Sequence, residues 1–189
     1  SEDPYLAGKM AAGYVRGIQK NGIAACPKHF AVNSQETLRM HSDSVVDERT
    51  LREIYLTAFE IAVKEGKPRS IMSSYNRING VYASEDRHLL RDILVDEWGF
   101  DGFVVTDWGA VKDRVKGVAA GLDLEMPGGD GARANDAKIV KAVQDGTLTM
   151  EQLDAVVKNV LTFVKNAVEN RDETAVFDRE ADYREAVKM

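Results

Sequence analysis

Cysteine is nearly absent: Cys26 stands alone among 189 residues. That excludes an internal disulfide framework and any zinc site built from several thiolates. Within its apolar run, Cys26 reads as a small buried hydrophobe. Positive charge is also short, with 25 Lys and Arg against 31 Asp and Glu and a formal net charge of −6. Such a balance argues against a nucleic-acid or anionic-membrane surface. No apolar run approaches the roughly 18 residues of a membrane span, and no secretion signal opens the chain. There is no glycine-rich phosphate turn, no serine nucleophile elbow and no HExxH helix, so classes built on those motifs lack support. The run Gly128-Gly129-Asp130-Gly131 has the wrong spacing and position and reads as a flexible loop. Disorder is excluded by a hydrophobic fraction of 44%.

What is present is an alternation of short apolar runs and amphipathic helices. Asp3 and Pro4 suit the cap and first turn of a helix in which Leu6, Met10, Tyr14 and Ile18 recur, ending at Gly22. Strands are expected at 23–26, 70–73, 102–106 and 122–126. The third is apolar on both faces, as a strand covered by helices must be. Helices are expected over 48–64, 85–98, from Ala110 to Gly121, over 134–145 and over 149–169. In the first of these, Leu51, Ile54, Tyr55, Ala58, Ile61 and Ala62 form one face; in the second, Leu89, Leu90, Ile93 and Leu94 face inward, with Ser84 as cap and Gly99 as stop. Thr149 and Gln152 spell a capping box. The stretch 170–189 is charged, aperiodic and linker-like.

Strand–helix–strand repetition implies parallel strands with right-handed crossovers. About four strands are too few for a complete barrel of eight. The fold class expected is therefore α/β, either a small open sheet or part of a barrel. In both, chemistry gathers at the carboxyl ends of the strands. Lys28 and His29 follow the first strand, Ser74-Tyr75-Asn76 the second, Asp107-Trp108 the third and Met126-Pro127 the fourth. An aspartate there can attack an anomeric carbon. Lys28 and Arg39 would favour its ionised form. Trp108 offers a flat apolar face to a pyranose ring, and Lys28, His29 and Arg39 offer donors to its hydroxyls.

Each of these residues has a plainer alternative. On pattern alone Asp107 reads equally as a helix cap. Lys28 reads as a surface lysine or, on a different chemistry, as a Schiff-base amine. His29 reads as a structural histidine, Arg39 as a partner of Glu36 or Asp43, and Met72 and Trp98 as core. His41 with Asp43 is too small a set for a metal site. His88 reads as solvated. Glu125 is the one acidic residue near a strand end that could act as an acid, with no neighbour to raise its pKa.

Taken together, Lys28-His29-Phe30, Asn33, Gln35-Glu36 and Arg39, then Met72-Ser73-Ser74-Tyr75-Asn76 and Asn79-Gly80, then Gly102-Phe103-Val104-Val105-Thr106-Asp107-Trp108, resemble glycoside hydrolase family 3, in its β-glucosidase-like branch. Several motifs in one order make the resemblance specific. It implies a partial (β/α)8 TIM-type barrel, with residues 1–170 its C-terminal half and 171–189 a linker toward an absent α/β sandwich domain. It implies retaining hydrolysis of terminal β-D-glucosyl residues without a cofactor or metal. Asp107 matches the nucleophile. Lys28, His29, Arg39 and Tyr75 match sugar contacts, and Met72 and Trp108 match apolar walls. The general acid/base glutamate would lie after Met189, so these 189 residues alone are expected to be inactive. The partners implied are a β-glucoside or oligosaccharide, the missing barrel half and the sandwich domain; a homo-oligomer stays open. Alternatives are a β-xylosidase of the same family, a non-catalytic carbohydrate-binding or folding module, and a Schiff-base lyase centred on Lys28.

Overall fold

A computed structural model describes residues 2–128 and 130–188. Its centre is a row of four parallel backbone segments in chain order. The outer two are extended chain rather than full strands. Residues 25–30 run beside strand β2 (Ser70–Ser73), with Ser70 and Met72 N–H donating to the Ala25 and Pro27 carbonyls at 3.3 and 3.1 Å. Phe30 N–H returns to Met72 O at 2.8 Å. β2 pairs in turn with β5 (Phe103–Thr106), in register from Ser70 opposite Phe103 to Ser73 opposite Thr106. Residues 122–126 close the row through a bridge between Val105 and Leu124.

Two expectations about these segments need correction. The first paired segment lies further along than 23–26: Ile23 is exposed, and pairing starts at Ala25. At the other edge, Asp123 and Leu124 N–H converge on one carbonyl, Val104 O, at 3.1 and 3.0 Å. That bulge breaks the ladder, so 122–126 is not a regular strand.

Helices cover the outer face. α1 (Pro4–Gln19) begins at Asp3, whose carboxylate accepts from Leu6 N–H at 2.9 Å. It packs on α2, a continuous helical run over 48–66 that alternates α turns with wider i→i+5 turns. The contact uses the small face Gly8, Ala12 and Val15, not the Leu6–Met10–Tyr14–Ile18 stripe, which is exposed. Gly8 is required there: a Cβ would sit 2.8 Å from Ile61. On α2, Leu51 and Ala62 are buried as expected, but Ile54 faces solvent.

A small second sheet missed by the sequence reading lies beyond the end of β2. β1 (Asp43–Ser44) pairs in parallel with β3 (Arg77–Ile78), which turns back antiparallel into β4 (Val81–Tyr82). The turn is Asn79-Gly80, both at positive φ, a standard hairpin signal. α3 (His88–Glu97) buries Leu89, Leu90, Ile93 and Leu94 as the periodicity predicts. Its capping carboxylate is Asp86, which accepts from Leu89 N–H at 3.2 Å, whereas Ser84 is buried and donates to Ala110 O at 3.5 Å. The inner face of α3 meets Ile71 and Val104 in one core, where Phe30 packs edge-on against Phe59 and Trp98.

α4 (Arg114–Ala120) starts later than expected. Its cap is Asp113, which accepts from Val115 and Lys116 N–H at 3.1 and 3.2 Å, so Asp107 is not a helix cap. α5 (Asp130–Gln144) starts four residues before the expected 134; Gly129, part of the expected loop, lies outside the described residues. α6 (Met150–Glu169) carries the capping box at Thr149 and Gln152. Within 170–189, α7 (Arg179–Lys188) forms with no buried residue. No helix among the described residues is long and apolar enough to cross a membrane.

Candidate active site

Parallel pairing brings the ends of the first three segments to one mouth. Asp107 directly follows β5, and its own N–H donates to Ser73 O at 3.3 Å, which ties it to the end of β2. One carboxylate oxygen accepts from Trp108 N–H at 2.7 Å. The other lies 3.1 Å from His29 Nε2. His29 is held below its usual range, first by burial and then by the Lys28 and Arg39 cations, against the opposite pull of Asp107. The lowered pKa favours the neutral ring, which lies against the carboxylate.

Tyr75 completes the group. It is buried, and its hydroxyl donates to Trp108 O at 2.9 Å. Burial raises its pKa, and the neighbouring Asp107 carboxylate raises it further. The phenol thus stays protonated beside the carboxylate. The Arg39 guanidinium stacks on the Tyr75 ring, 4.6 Å from its centroid, and pairs with Glu36 at 2.9 Å. Arg39 thus has the acidic partner expected of it and lies against Tyr75.

The other expected residues sit nearby in different ways. Lys28 is exposed beside His29, close enough to lower its pKa. Met72 is half-buried, and strand alternation puts it on the same sheet face as its partner Val105 and as Asp107. Trp108 leaves its indole half exposed at the rim. Among the described residues no group of three or more His, Cys, Asp or Glu is arranged to hold a metal ion. His88 lies far along the chain from this mouth, beside Glu48 and Asp92 at 3.4 and 3.6 Å. Glu125 is occupied: it accepts from Asn135 Nδ2 at 2.8 Å and lies 3.8 Å from Arg114 Nε. At the opposite end of the strands, a cavity of about 600 Å³ opens between the end of α1 and α6, lined by Ile23, Arg69, Gly102 and Phe163.

The arrangement offers one chemistry directly. A carboxylate held by a backbone amide, with an imidazole 3.1 Å away and a protonated phenol nearby, is fixed in orientation and flanked by an exposed indole. It can act as an oxygen nucleophile toward a ring that lies on that indole.

The family model for the glycosyl hydrolase family 3 N-terminal domain matches residues 1–163. The chain belongs to glycosyl hydrolase family 3. It is 52% identical over 184 residues to thermostable beta-glucosidase B of Acetivibrio thermocellus, covering 97% of this chain and 24% of that protein. It is 51% identical over 164 residues to an exo-alpha-(1->6)-L-arabinopyranosidase of Bifidobacterium longum, covering 87% of this chain and 21% of that protein. Among solved structures, the family 3 beta-glucosidase of Bifidobacterium adolescentis superposes with a TM-score of 0.90 at 46% identity, over 96% of this chain and 26% of that one. The chain thus spans about a quarter of the length of these relatives. The four-segment sheet with its outer helices is a partial (β/α)8-type barrel of this family.

One feature with no counterpart in the sequence reading is Asp123, which is 6% exposed and bonded on both carboxylate oxygens. A signal was available: an acid between two leucines in a run expected to be a buried strand.

Proposed function

We propose that this segment is the nucleophile-bearing part of a retaining exo-β-glucosidase. The observation that carries the reading is the Asp107 carboxylate at the end of β5, 3.1 Å from His29 and held by the Trp108 amide at 2.7 Å. A carboxylate oxygen attacks the anomeric carbon as the bond from that carbon to the aglycone oxygen breaks. The leaving oxygen takes its proton from a glutamate contributed by a sandwich domain outside these residues. Water then attacks the same carbon, gives its proton to that glutamate and releases Asp107 as the carboxylate. Lys28, His29 and Arg39 bind sugar hydroxyls, Tyr75 fixes the nucleophile, and Met72 and Trp108 wall the ring. Residues 1–170 form the C-terminal half of the barrel, and 171–189 lead toward the sandwich.

The stereochemistry tests this reading. The full-length protein, given an aryl β-glucoside and followed by proton NMR from the first turnovers, should release β-glucose before mutarotation. First release of the α anomer contradicts a glycosyl-aspartate intermediate.

A second sugar is favoured by one observation: the arabinopyranosidase relative is nearly as similar to this chain as the glucosidase is. Aryl β-glucoside, β-xyloside and α-L-arabinopyranoside should therefore be compared, and the largest kcat/KM assigns the sugar.

A further inference from the structure

The strand that carries Asp107 is fastened on its second edge by side chains as much as by backbone. On the β2 side the rungs are ordinary, with Phe103 N–H on Arg69 O at 3.2 Å and Asp107 N–H on Ser73 O at 3.3 Å. On the other side Thr106 N–H reaches Leu124 O at 3.0 Å. The rung below it is missing. Leu122 O, the carbonyl that Val104 N–H would need, accepts instead from Arg114 Nη1 at 3.0 Å. Val104 N–H donates to the Asp123 carboxylate at 2.7 Å, and the other oxygen of that carboxylate accepts from Asn159 of α6 at 3.0 Å. Arg114 Nη2 holds Asp123 O at 3.0 Å. One buried side chain thus replaces a backbone rung and ties strand to helix.

We propose that Asp123 is a positioning residue that, with Asn159, fixes the strand bearing Asp107 for its attack. The proposal rests on the reading of Asp107 as nucleophile. Asp107 lies three residues beyond Val104, and its angle toward a sugar follows the strand. A misplacement of about 1 Å in such a group costs on the order of a hundredfold in rate. Burial of the Asp123 carboxyl is costly and pushes its pKa up to about 6, against hydrogen bonds from Val104 and Asn159 and the charges of Arg114 and Arg91. Asparagine can do the same work uncharged: its oxygen accepts from Val104, and its amide donates to a flipped Asn159.

The test uses the full-length protein with a 2-deoxy-2-fluoro-β-glucosyl donor carrying an activated leaving group, reading the rate constant for labelling Asp107 and the donor Kd. Asp123→Ala should slow labelling tenfold or more with Kd within threefold of wild type, and should speed hydrogen exchange at the Val104 amide at least tenfold. Asp123→Asn should stay within threefold on every readout. Where Asp123→Ala does not fold, Asn159→Ala should give a smaller slowing, about threefold. Equal labelling rates in the wild type and the variant that folds, or an Asp123→Asn as slow as the alanine variant, overturn the proposal. Absence of label on wild-type Asp107 overturns the nucleophile reading instead.

Discussion

Tyr75 holds the Trp108 carbonyl, next to the proposed nucleophile Asp107, so its hydroxyl is the atom to remove. Tyr75→Phe leaves the ring that Arg39 stacks on and deletes the hydrogen bond to Trp108 O. It should lower kcat/KM by roughly 1–3 kcal/mol of transition-state stabilisation, with little change in melting temperature. Asp123 gives a pH signature of stability. Its carboxyl is raised by burial from 3.8 to about 6, so between those values the folded chain holds the proton that the unfolded chain loses. Stability from this group is full below about 4 and is lost as pH rises through about 6. His29 acts in the opposite sense, because its lowered pKa penalises folding as pH falls through its ordinary 6.5. The difference between wild type and Asp123→Asn isolates Asp123. In thermal melts the variant should be the more stable at pH 7, by roughly 1–2 kcal/mol, with the gap closing toward pH 4.

At the scale of elements, much was legible because periodicity reports burial. The inward leucines of α3, the doubly apolar β5 and the Thr149–Gln152 box all form as read. The candidate site was legible as a list of strand-end residues. That Tyr75 and His29 reach Asp107 while Lys28 stands exposed depends on three-dimensional geometry. Misreadings share one cause: a face is chosen by what packs on it. The Leu6–Ile18 stripe of α1 is more apolar than Gly8–Ala12–Val15, yet small residues allow the close approach to α2. Likewise, Asn79-Gly80 carried a hairpin signal that the longer helical patterns around it masked. Gly8→Ala should therefore destabilise the chain by about 1–3 kcal/mol, because the new methyl meets Ile61 at 2.8 Å. Combining it with Ile61→Val should recover part of that loss, measured by urea unfolding as a double-mutant cycle.

The whole molecule presents apolar side chains that nothing here covers. Leu6, Met10 and Tyr14 on α1 and Leu161, Val164 and Val168 on α6 are all exposed. With a sheet whose outer segments pair with no further strand among the described residues, such faces favour association. Light scattering on the 189-residue chain should give a mass above that of one copy. A cooperatively melting monomer would contradict the reading as half of a barrel. On the proposed reading, an upstream barrel half and a domain that supplies an acid complete the site around Asp107. The central claim is that this carboxylate bonds to a sugar carbon. Its most direct measurement is peptide mass mapping of the full-length protein after reaction with a 2-fluoroglucosyl donor. One fluoroglucosyl adduct on Asp107, absent from Asp107→Ala, is the expected result. An adduct on another residue, such as Lys28, with Asp107 unmodified, would contradict it.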